Sequence, residues 1–480
     1  MRAFCVGFLM VAFVVPAFSQ APDKTPCPMF GGTPARNMVN TVDKNIPVKW
    51  DVESKENIRW VAKVGNKSYG GPVIAGGKVF VGTNNAYPRD KSVKGFKAVL
   101  MCFAEADGKF LWQAAHDIPA DLIPAEAIVQ GLCSTPVIEG DRAYYVLPGC
   151  EVVCTDTANG KTLWKYDMAE KLKVVPYHLS NCSPLVVGDL VMVITGNGVD
   201  DAGKLPSPKA PSFIALNKID GTLKWQNNMP GEKIIEGQWT NPTLAVVNGK
   251  PQVIFPGGDA AIYSLDPDTG NLLWKFNCNP KPKDDDRSGI NYFVSTPVFF
   301  DNKIYIGMGQ YPEHPTPTRS SYMLCIDATR TGDVSPKSLD SKDPQNKESA
   351  LVWSFGGPIE PRPKAGRPVL FGRTMATAAI HDGLVYVTEE SGYMHCLDAK
   401  TGQRYWDHDF KAAVWGSAYY VDGKIYVGTE DGEIIIFAAG KERKLLGQID
   451  MGETIHSTPV VANGVLYVAT KSKVYAIAGK

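Results

Sequence analysis

A short motif of aspartate, glycine and tryptophan recurs along the chain and constrains its fold more than any other feature. Residues 396–406 read Cys-Leu-Asp-Ala-Lys-Thr-Gly-Gln-Arg-Tyr-Trp, and close copies end at Trp274 and Trp164. Looser copies end at Trp112 and Trp225. In each copy a strand ends, Asp and Gly make a tight turn, and a second strand closes on Trp. A unit that returns at intervals of some tens of residues predicts a repeat architecture.

The repeats also begin alike, and their number predicts the fold. Eight units open with small residues, mostly followed by proline, ahead of an alternating strand, near residues 71, 134, 183, 241, 295, 376, 416 and 457. The last unit has three strands, whereas residues 57–62, which include Trp60, form a strand with no unit of its own. We predict an all-β, eight-bladed β-propeller in which this N-terminal strand closes the last blade, because an open ring leaves exposed strand edges.

The N-terminal region has two predicted parts before the propeller. Arg2, an apolar run and the Ala-Phe-Ser of residues 17–19 are typical of a signal peptide, so we predict an extracytoplasmic protein after cleavage. Residues 20–56 are predicted to form an ordered leader or strap, a flexible leader being the alternative. The propeller domain then covers residues 57–480, with residues 57–64 as the fourth strand of the last blade. No later stretch is apolar enough to span a bilayer.

Charge and loop lengths indicate the class of partner. Lys plus Arg and Asp plus Glu both number 50, and this balance argues against nucleic-acid binding. Second-to-third loops and inter-blade connections are long, whereas first-to-second turns are short. These long loops share one side of the ring, which we call the decorated face. We expect a protein, peptide or glycan partner there, since rigid scaffolds position functional loops, and we expect a monomer.

The repeats resemble the tryptophan-docking repeats of propellers of the pyrroloquinoline-quinone (PQQ) type. That superfamily includes quinoprotein alcohol dehydrogenases and a non-enzymatic lipoprotein of the outer-membrane assembly machinery. The leader at residues 29–37 is similar to that of secreted PQQ-like repeat proteins of planctomycete-type bacteria. The resemblance implies the fold and a packing role for the repeat tryptophans, which are Trp60, Trp112, Trp164, Trp225, Trp274, Trp353 and Trp406.

The same resemblance bears on cofactors. Quinoprotein alcohol dehydrogenases resemble one another in a disulfide between adjacent cysteines that stacks on PQQ, and this chain has no adjacent cysteines. It also has no Cys-x-x-Cys-His haem motif. No cofactor is therefore firmly implied, although PQQ and calcium stay open, and no catalytic residue is predicted. The acidic run at residues 284–286 is interpreted as a solvated turn, a calcium ligand being the alternative.

Four of the ten cysteines occupy equivalent places in the repeat. At this place other units have Ala or Ser, so the position is small and buried, and we predict free thiols at Cys102, Cys154, Cys325 and Cys396. A bond between Cys133 and Cys182 is an open alternative.

The candidate binding residues lie just before the predicted inner strands, where side chains point toward the channel. They are Tyr69, Asn181, Trp239, Asn241, Arg373, Trp415 and His456. The tryptophans offer flat faces to a ring or sugar, and Arg373 with His456 suits an anion. The alternative is that these residues only fill a narrow channel with polar groups and water.

Two function classes follow from these observations. The first is a non-catalytic binding or scaffold propeller that uses the decorated face. The second is a PQQ- and calcium-dependent alcohol or sugar dehydrogenase. The missing adjacent cysteines and haem motif favour the first class.

Overall fold

The structure is a computed structural model, and it describes residues 25–280, 291–310, 321–358, 367 and 369–479. The predicted signal peptide and the acidic run at residues 284–286 lie outside the described residues.

Eight sheets of four antiparallel strands each make up the ring. Two strands precede the blades, β1 (Val39–Asn40) and β2 (Ile58–Lys63). Blade 1 contains β3 (Val73–Ala75), β4 (Lys78–Asn84), β5 (Lys97–Ala104) and β6 (Phe110–Asp117). Blade 2 contains β7 (Val137–Glu139), β8 (Arg142–Val146), β9 (Glu151–Asp156) and β10 (Thr162–Asp167). Blade 3 contains β11 (Leu185–Val187), β12 (Leu190–Ile194), β13 (Phe213–Asn217) and β14 (Leu223–Asn227). Blade 4 contains β15 (Thr243–Val247), β16 (Lys250–Pro256), β17 (Ala261–Leu265) and β18 (Leu272–Asn277).

The second half of the ring repeats this order. Blade 5 contains β19 (Val298–Phe300), β20 (Lys303–Met308), β21 (Tyr322–Asp327) and β23 (Leu351–Gly356), with β22 (Gly332–Asp333) inserted. Blade 6 contains β24 (Ala379–His381), β25 (Leu384–Glu389), β26 (Tyr393–Asp398) and β27 (Arg404–Asp409). Blade 7 contains β28 (Tyr419–Val421), β29 (Lys424–Gly428), β30 (Glu433–Ala438) and β31 (Leu445–Asp450). Blade 8 contains β32 (Val460–Ala462), β33 (Val465–Ala469) and β34 (Lys473–Ile477), and β2 supplies its fourth strand.

The ring closes through the two ends of the chain, as predicted. Strand β2 pairs antiparallel with β34, with Trp60 opposite Ala476 and Ala62 opposite Val474. This pairing gives blade 8 its outer strand and removes the open edge that an incomplete blade leaves. The predicted all-β, eight-bladed propeller with this closure is therefore confirmed.

Short elements decorate the ring. Strand β1 adds parallel to β28, and β22 adds parallel to β18 of the preceding blade. Helices α1 (Ala125–Ile128) and α2 (Met168–Leu172) and 3-10 turns at Gly231–Lys233 and Pro344–Asn346 lie in connections. Across the described ranges, no helix has the length and apolar character needed to cross a bilayer.

The repeat tryptophans link neighbouring blades through hydrogen bonds and glycine contacts. The Trp60 Nε1–H donates to the Glu105 carbonyl of blade 1 at 2.9 Å, and Trp112, Trp164, Trp225, Trp353 and Trp406 donate to carbonyls of the next blade in the same way. A Cβ on Gly402, whose φ is +72°, would lie 2.7 Å from the Trp353 ring. The motif glycine is therefore needed for its left-handed turn and for its close approach to the ring.

Trp274 differs from this pattern. It is fully buried, but its Nε1–H donates at 2.9 Å to the Gln252 side chain of its own blade. Blade 5 has no short turn to receive it, because the segment that carries β22 is inserted there. Trp274 thus packs in the core without the inter-blade bond that the repeat predicts.

The cysteines are free thiols wherever the structure describes them. Cys102, Cys154, Cys325 and Cys396 are all buried, as predicted. Cys133 and Cys182 are also unbonded, so the alternative disulfide is absent.

Candidate functional site

One end of the central channel is closed by a segment that we call the strap, residues 25–57. Its backbone bonds to the inner strands, as when Cys27 and Ile74 exchange two 2.9 Å bonds and the Tyr420 N–H donates to the Met38 carbonyl at 2.9 Å. All eight blades receive strap bonds, through Ile74, Ile138, Pro184, Leu244, Phe299, Ile380, Tyr420 and Val461. The strap satisfies inner-edge backbone groups that otherwise face the channel.

Arg36 anchors the strap. Its side chain is completely buried, and its guanidinium donates to four carbonyls, those of Phe30, Ser183, Pro184 and Pro242, at 2.8 to 3.1 Å. Burial lowers its pKa to about 10, so the group is still a cation at neutral pH. The neighbouring Phe30 lines the bottom of a pocket that opens at the other end. The channel is therefore a blind pocket and not a through-passage.

The pocket is lined by one equivalent residue from each blade. These residues, which we call the mouth ring, stand four positions before the first residue of each inner strand. They are Tyr69, Cys133, Asn181, Trp239, Val294, Met375, Trp415 and His456. Because equivalent positions of a propeller lie at one height, eight distant residues form one ring. The pocket they surround has a volume of about 180 Å³.

A second ring lies two residues closer to the strands. This polar ring consists of Thr135, Ser183, Asn241, Thr296, Thr377, Ser417 and Thr458, with Gly71 at the equivalent place in blade 1. Its members bond from blade to blade, as when the Ser183 N–H donates to Asn241 Oδ1 at 2.6 Å and the Asn241 Nδ2 donates to Thr296 Oγ1 at 2.7 Å. The hydroxyl and amide side chains before the strands therefore hold adjacent blades together.

Three aromatic side chains of the mouth ring form one wall. Tyr69 stacks on His456 with centroids 4.8 Å apart, and Trp415 meets His456 edge-on at 5.0 Å. The His456 Nε2 lies 3.3 Å from Glu430 Oε1, whereas its Nδ1 has no partner. His456 is 7% exposed, and burial lowers the pKa of its imidazole. The ring is therefore neutral near pH 7 and is held by the carboxylate.

The opposite wall comes from blade 4. Blades 4 and 8 stand four blades apart in an eight-membered ring, so Trp239 lies across the mouth from His456. The Trp239 Nε1–H donates to the Tyr177 carbonyl at 3.1 Å, and the two rings lie 5.5 Å apart. Tyr177 also lines a neighbouring groove of about 280 Å³ that includes Asp121, Asp200 and Asp201.

The structure brings together six of the seven predicted site residues. Tyr69, Asn181, Trp239, Trp415 and His456 belong to the mouth ring, and Asn241 belongs to the polar ring. Whether they bind a ligand stays a prediction.

Arg373 is not among the residues that line the pocket. Its Nε lies 3.0 Å from Glu390 Oε2, and its Nη1 donates to the Tyr292 hydroxyl at 2.9 Å. It stands six positions before β24, two further than the mouth-ring register. Arg373 therefore lies outside the pocket lining, and its role with His456 in holding an anion stays a prediction.

Sequence reasoning missed Phe30, Glu430 and Tyr177 as parts of the site. Glu430 lies in the second-to-third loop of blade 7, and aligning the loops of the eight blades would have placed it near the mouth. Nothing local to Phe30 indicates that it reaches the pocket, because the strap approaches from the other end.

Comparison with known proteins gives matches over most of the chain. The family model described as outer membrane protein assembly factor BamB matches residues 96–344 and 345–480. Tetrathionate hydrolase of Acidithiobacillus ferrooxidans is 23% identical over 340 residues, which cover 60% of this chain and 62% of that protein. The chain thus spans less than two thirds of that relative's length.

Two solved structures are similar in fold. BamB from Moraxella catarrhalis superposes with a TM-score of 0.53 at 13% identity, covering 88% of this chain and 96% of that one. The quinohemoprotein alcohol dehydrogenase ADHIIG from Pseudomonas putida HK5 gives a TM-score of 0.62 at 13% identity, covering 95% and 81%. At such identity the likeness concerns the fold alone.

Proposed function

Because the chain belongs to the outer membrane protein assembly factor BamB family, we propose that it is a non-catalytic, extracytoplasmic binding propeller. Its partner, a protein, peptide or glycan, inserts one group into the mouth of the channel. The predicted signal peptide and the outer-membrane description of the family support the location.

The blind pocket is the observation that carries this proposal. Its floor is Phe30, its walls include Tyr69, Trp239 and Trp415, and its volume is about 180 Å³. Pockets that bury drug-sized ligands measure about 300–1,000 Å³. A smaller pocket with aromatic walls suits one side chain or one ring of a larger partner, because aromatic anchors in central pockets carry most of the binding energy.

The lining residues do not fit a PQQ and calcium site. Calcium prefers six to eight oxygen ligands, several of them carboxylates, and no carboxylate belongs to the lining set. Over the described part of the chain, no three His, Cys, Asp or Glu side chains cluster as metal ligands. Arg373 is paired with Glu390, and the volume is small for a three-ring cofactor.

Binding arrays with a redox assay on the same protein test the proposal. The purified chain and its Trp415→Ala variant are applied to peptide and glycan arrays, with Leu163→Ala as a control because Leu163 is exposed on the outer strand β10. We expect hits that Trp415→Ala loses and Leu163→Ala keeps. Dye reduction with alcohols or sugars after loading with PQQ and Ca²⁺, or the absence of any Trp415-dependent hit, would overturn the proposal.

A further inference from the structure

We propose that the mouth pocket recognises a primary alkylammonium group, as carried by a lysine side chain or a small diamine. This inference rests on the binding role proposed above and names the group that enters the pocket. It is carried by the hydrogen-bonding state of two buried side-chain atoms, by the aromatic walls and by the charges around the mouth.

Two acceptor atoms in the pocket lining have no partner. One is Asn181 Oδ1, and the other is His456 Nδ1. Because the His456 Nε2–H donates to Glu430, its Nδ1 bears the lone pair and accepts. Leaving a buried acceptor without a donor costs roughly 1–3 kcal/mol of stability. A ligand that brings a donor into the pocket would recover this energy at either atom. Asn181 belongs to blade 3 and His456 to blade 8, and an ammonium with three N–H groups can serve more than one acceptor.

The walls suit the same group. Phe30, Tyr69, Trp239 and Trp415 present aromatic rings, and such faces attract cations by about 0.5–2 kcal/mol. The methylenes of a lysine stem can pack on the same rings. A butylammonium fits a pocket of about 180 Å³, whereas polar lining groups such as Asn241 and Thr296 already bond to each other and are less available to the hydroxyls of a sugar ring.

The charges near the mouth favour a cation over an anion. The lining set contains no Lys or Arg, and the nearby Arg373 is neutralised by Glu390. Glu430, with its side chain 43% exposed, lies beside His456. The adjoining groove adds Asp121 and Asp201, both of which are exposed. Lys67 and Lys471 oppose this attraction on the blade 8 side, where their charges also lower the pKa of His456.

Calorimetric titration of the full chain tests the inference with defined probes. The probes are a Gly-Lys-Gly peptide with an acetylated N-terminus and an amidated C-terminus, the same blocked peptide with acetylated lysine, cadaverine and methyl glucoside. We expect Gly-Lys-Gly to bind at least tenfold more tightly than its acetylated form. Cadaverine binding as tightly as the peptide would identify a free diamine as the source, and peptide binding alone would identify a partner's lysine.

Variants locate the binding. Trp415→Ala, Trp415→Phe and Asn181→Leu should each weaken Gly-Lys-Gly binding at least fivefold, whereas Leu163→Ala should not change it. Melting curves verify folding, and Trp415→Phe retains an aromatic body if the alanine variant does not fold.

Equal binding of acetylated and free lysine, or preferential binding of the glucoside, would overturn the ammonium inference. Trp415-dependent array hits would in that case leave the proposed binding role standing. The absence of any Trp415-dependent binding would overturn both.

Discussion

The two ends of the central channel are built on the same eight inner strands, but they differ in whether their buried polar groups are hydrogen-bonded. At the strap end, Arg36 is completely buried and donates to four carbonyls. At the mouth, Asn181 Oδ1 and His456 Nδ1 are buried without partners. Satisfied groups at the strap end stabilise the ring, whereas unsatisfied ones at the mouth leave hydrogen-bonding capacity beside the pocket.

The distribution of unpartnered atoms over the described residues supports this distinction. Apart from Arg373 and Glu390, which pair with each other, six of these eleven atoms precede an inner strand on the decorated face, namely Ser68 Oγ, Asn181 Oδ1, Thr240 Oγ1, Asn291 Oδ1, Thr377 Oγ1 and His456 Nδ1. Near the strap, Asn463 Oδ1 is without a partner, although the Asn463 Nδ2 donates to Glu105. Slightly more than half of the unpartnered atoms therefore lie at the open end of the ring.

The largest effect is expected from removing the strap end entirely. Deletion of residues 1–63 takes away the strap and β2, which exposes the edge of β34 and the inner edges of every blade. We expect loss of cooperative unfolding in a thermal melt followed by circular dichroism. Deletion of residues 1–24 alone should leave the transition unchanged, and a normal melt of the longer truncation would refute the closure as the source of stability.

A single substitution at the closed end should have the next largest effect. Arg36→Ala removes four charge-assisted bonds and leaves four buried carbonyls without that donor, offset in part by no longer burying a cation. We expect the free energy of unfolding to fall by about 3 kcal/mol in urea. Lys49→Ala, with its side chain 78% exposed on the strap, is the matched control and should change it by less than about 0.5 kcal/mol. Equal effects of the two variants would show that the strap is not anchored through Arg36.

A small truncation inside a blade provides a reference value against which the loss of stability in Arg36→Ala can be compared. Cys396 is completely buried on β26, and Cys396→Ala removes one sulfur from the core. We expect a loss of about 1–2 kcal/mol in the same urea experiment, as for other small core truncations. A loss above that of Arg36→Ala would show that blade packing, and not the strap, limits stability.

Substitution at the mouth should affect stability less than binding. Trp239 is half-buried and makes one bond, to the Tyr177 carbonyl, so Trp239→Ala should cost about 1 kcal/mol or less. The fully buried Trp274 provides the contrast, since Trp274→Ala should cost about 3–5 kcal/mol. Similar destabilisation by both variants would remove the distinction between structural and binding tryptophans.

Lowering the pH below 6.5 should have the smallest effect on stability of all these changes. It should clearly weaken the binding of an ammonium ligand. Burial lowers the pKa of His456 below 6.5, Glu430 opposes this shift, and Lys67 and Lys471 add to it. His456 is therefore neutral above pH 6.5 and gains a proton as the pH falls through its lowered pKa. Protonation turns Nδ1 into a donor and adds a like charge beside an ammonium ligand.

We accordingly expect Gly-Lys-Gly affinity to stay constant from pH 8 to 6.5 and to fall at lower pH, as followed by calorimetry. In His456→Gln this decline should disappear, since the amide does not titrate. A decline of the same size in the variant would assign the pH effect to another group.

The fold could be predicted from the amino-acid sequence alone, because the repeat encodes local chemistry. The turn at Gly402 needs a left-handed residue without a side chain, and the neighbouring Trp353 needs that space. Such requirements lie within one motif and recur at Gly108, Gly160, Gly221 and Gly270, so the number of blades and the closure by the strand of Trp60 could both be predicted. The burial of free thiols such as Cys396 could also be predicted, because the same position of the repeat is Ala or Ser in other blades.

The composition of the site, in contrast, depends on how the blades are arranged in space. The pocket takes one residue from each blade, and membership depends on a register of four positions before each inner strand, which excludes Arg373. Phe30 reaches the pocket because the strap crosses the far end of the ring, and Glu430 reaches His456 across a loop of the preceding blade. A local pattern determines the conformation of its own segment, whereas the meeting of side chains from distant segments depends on how the ring places them in space.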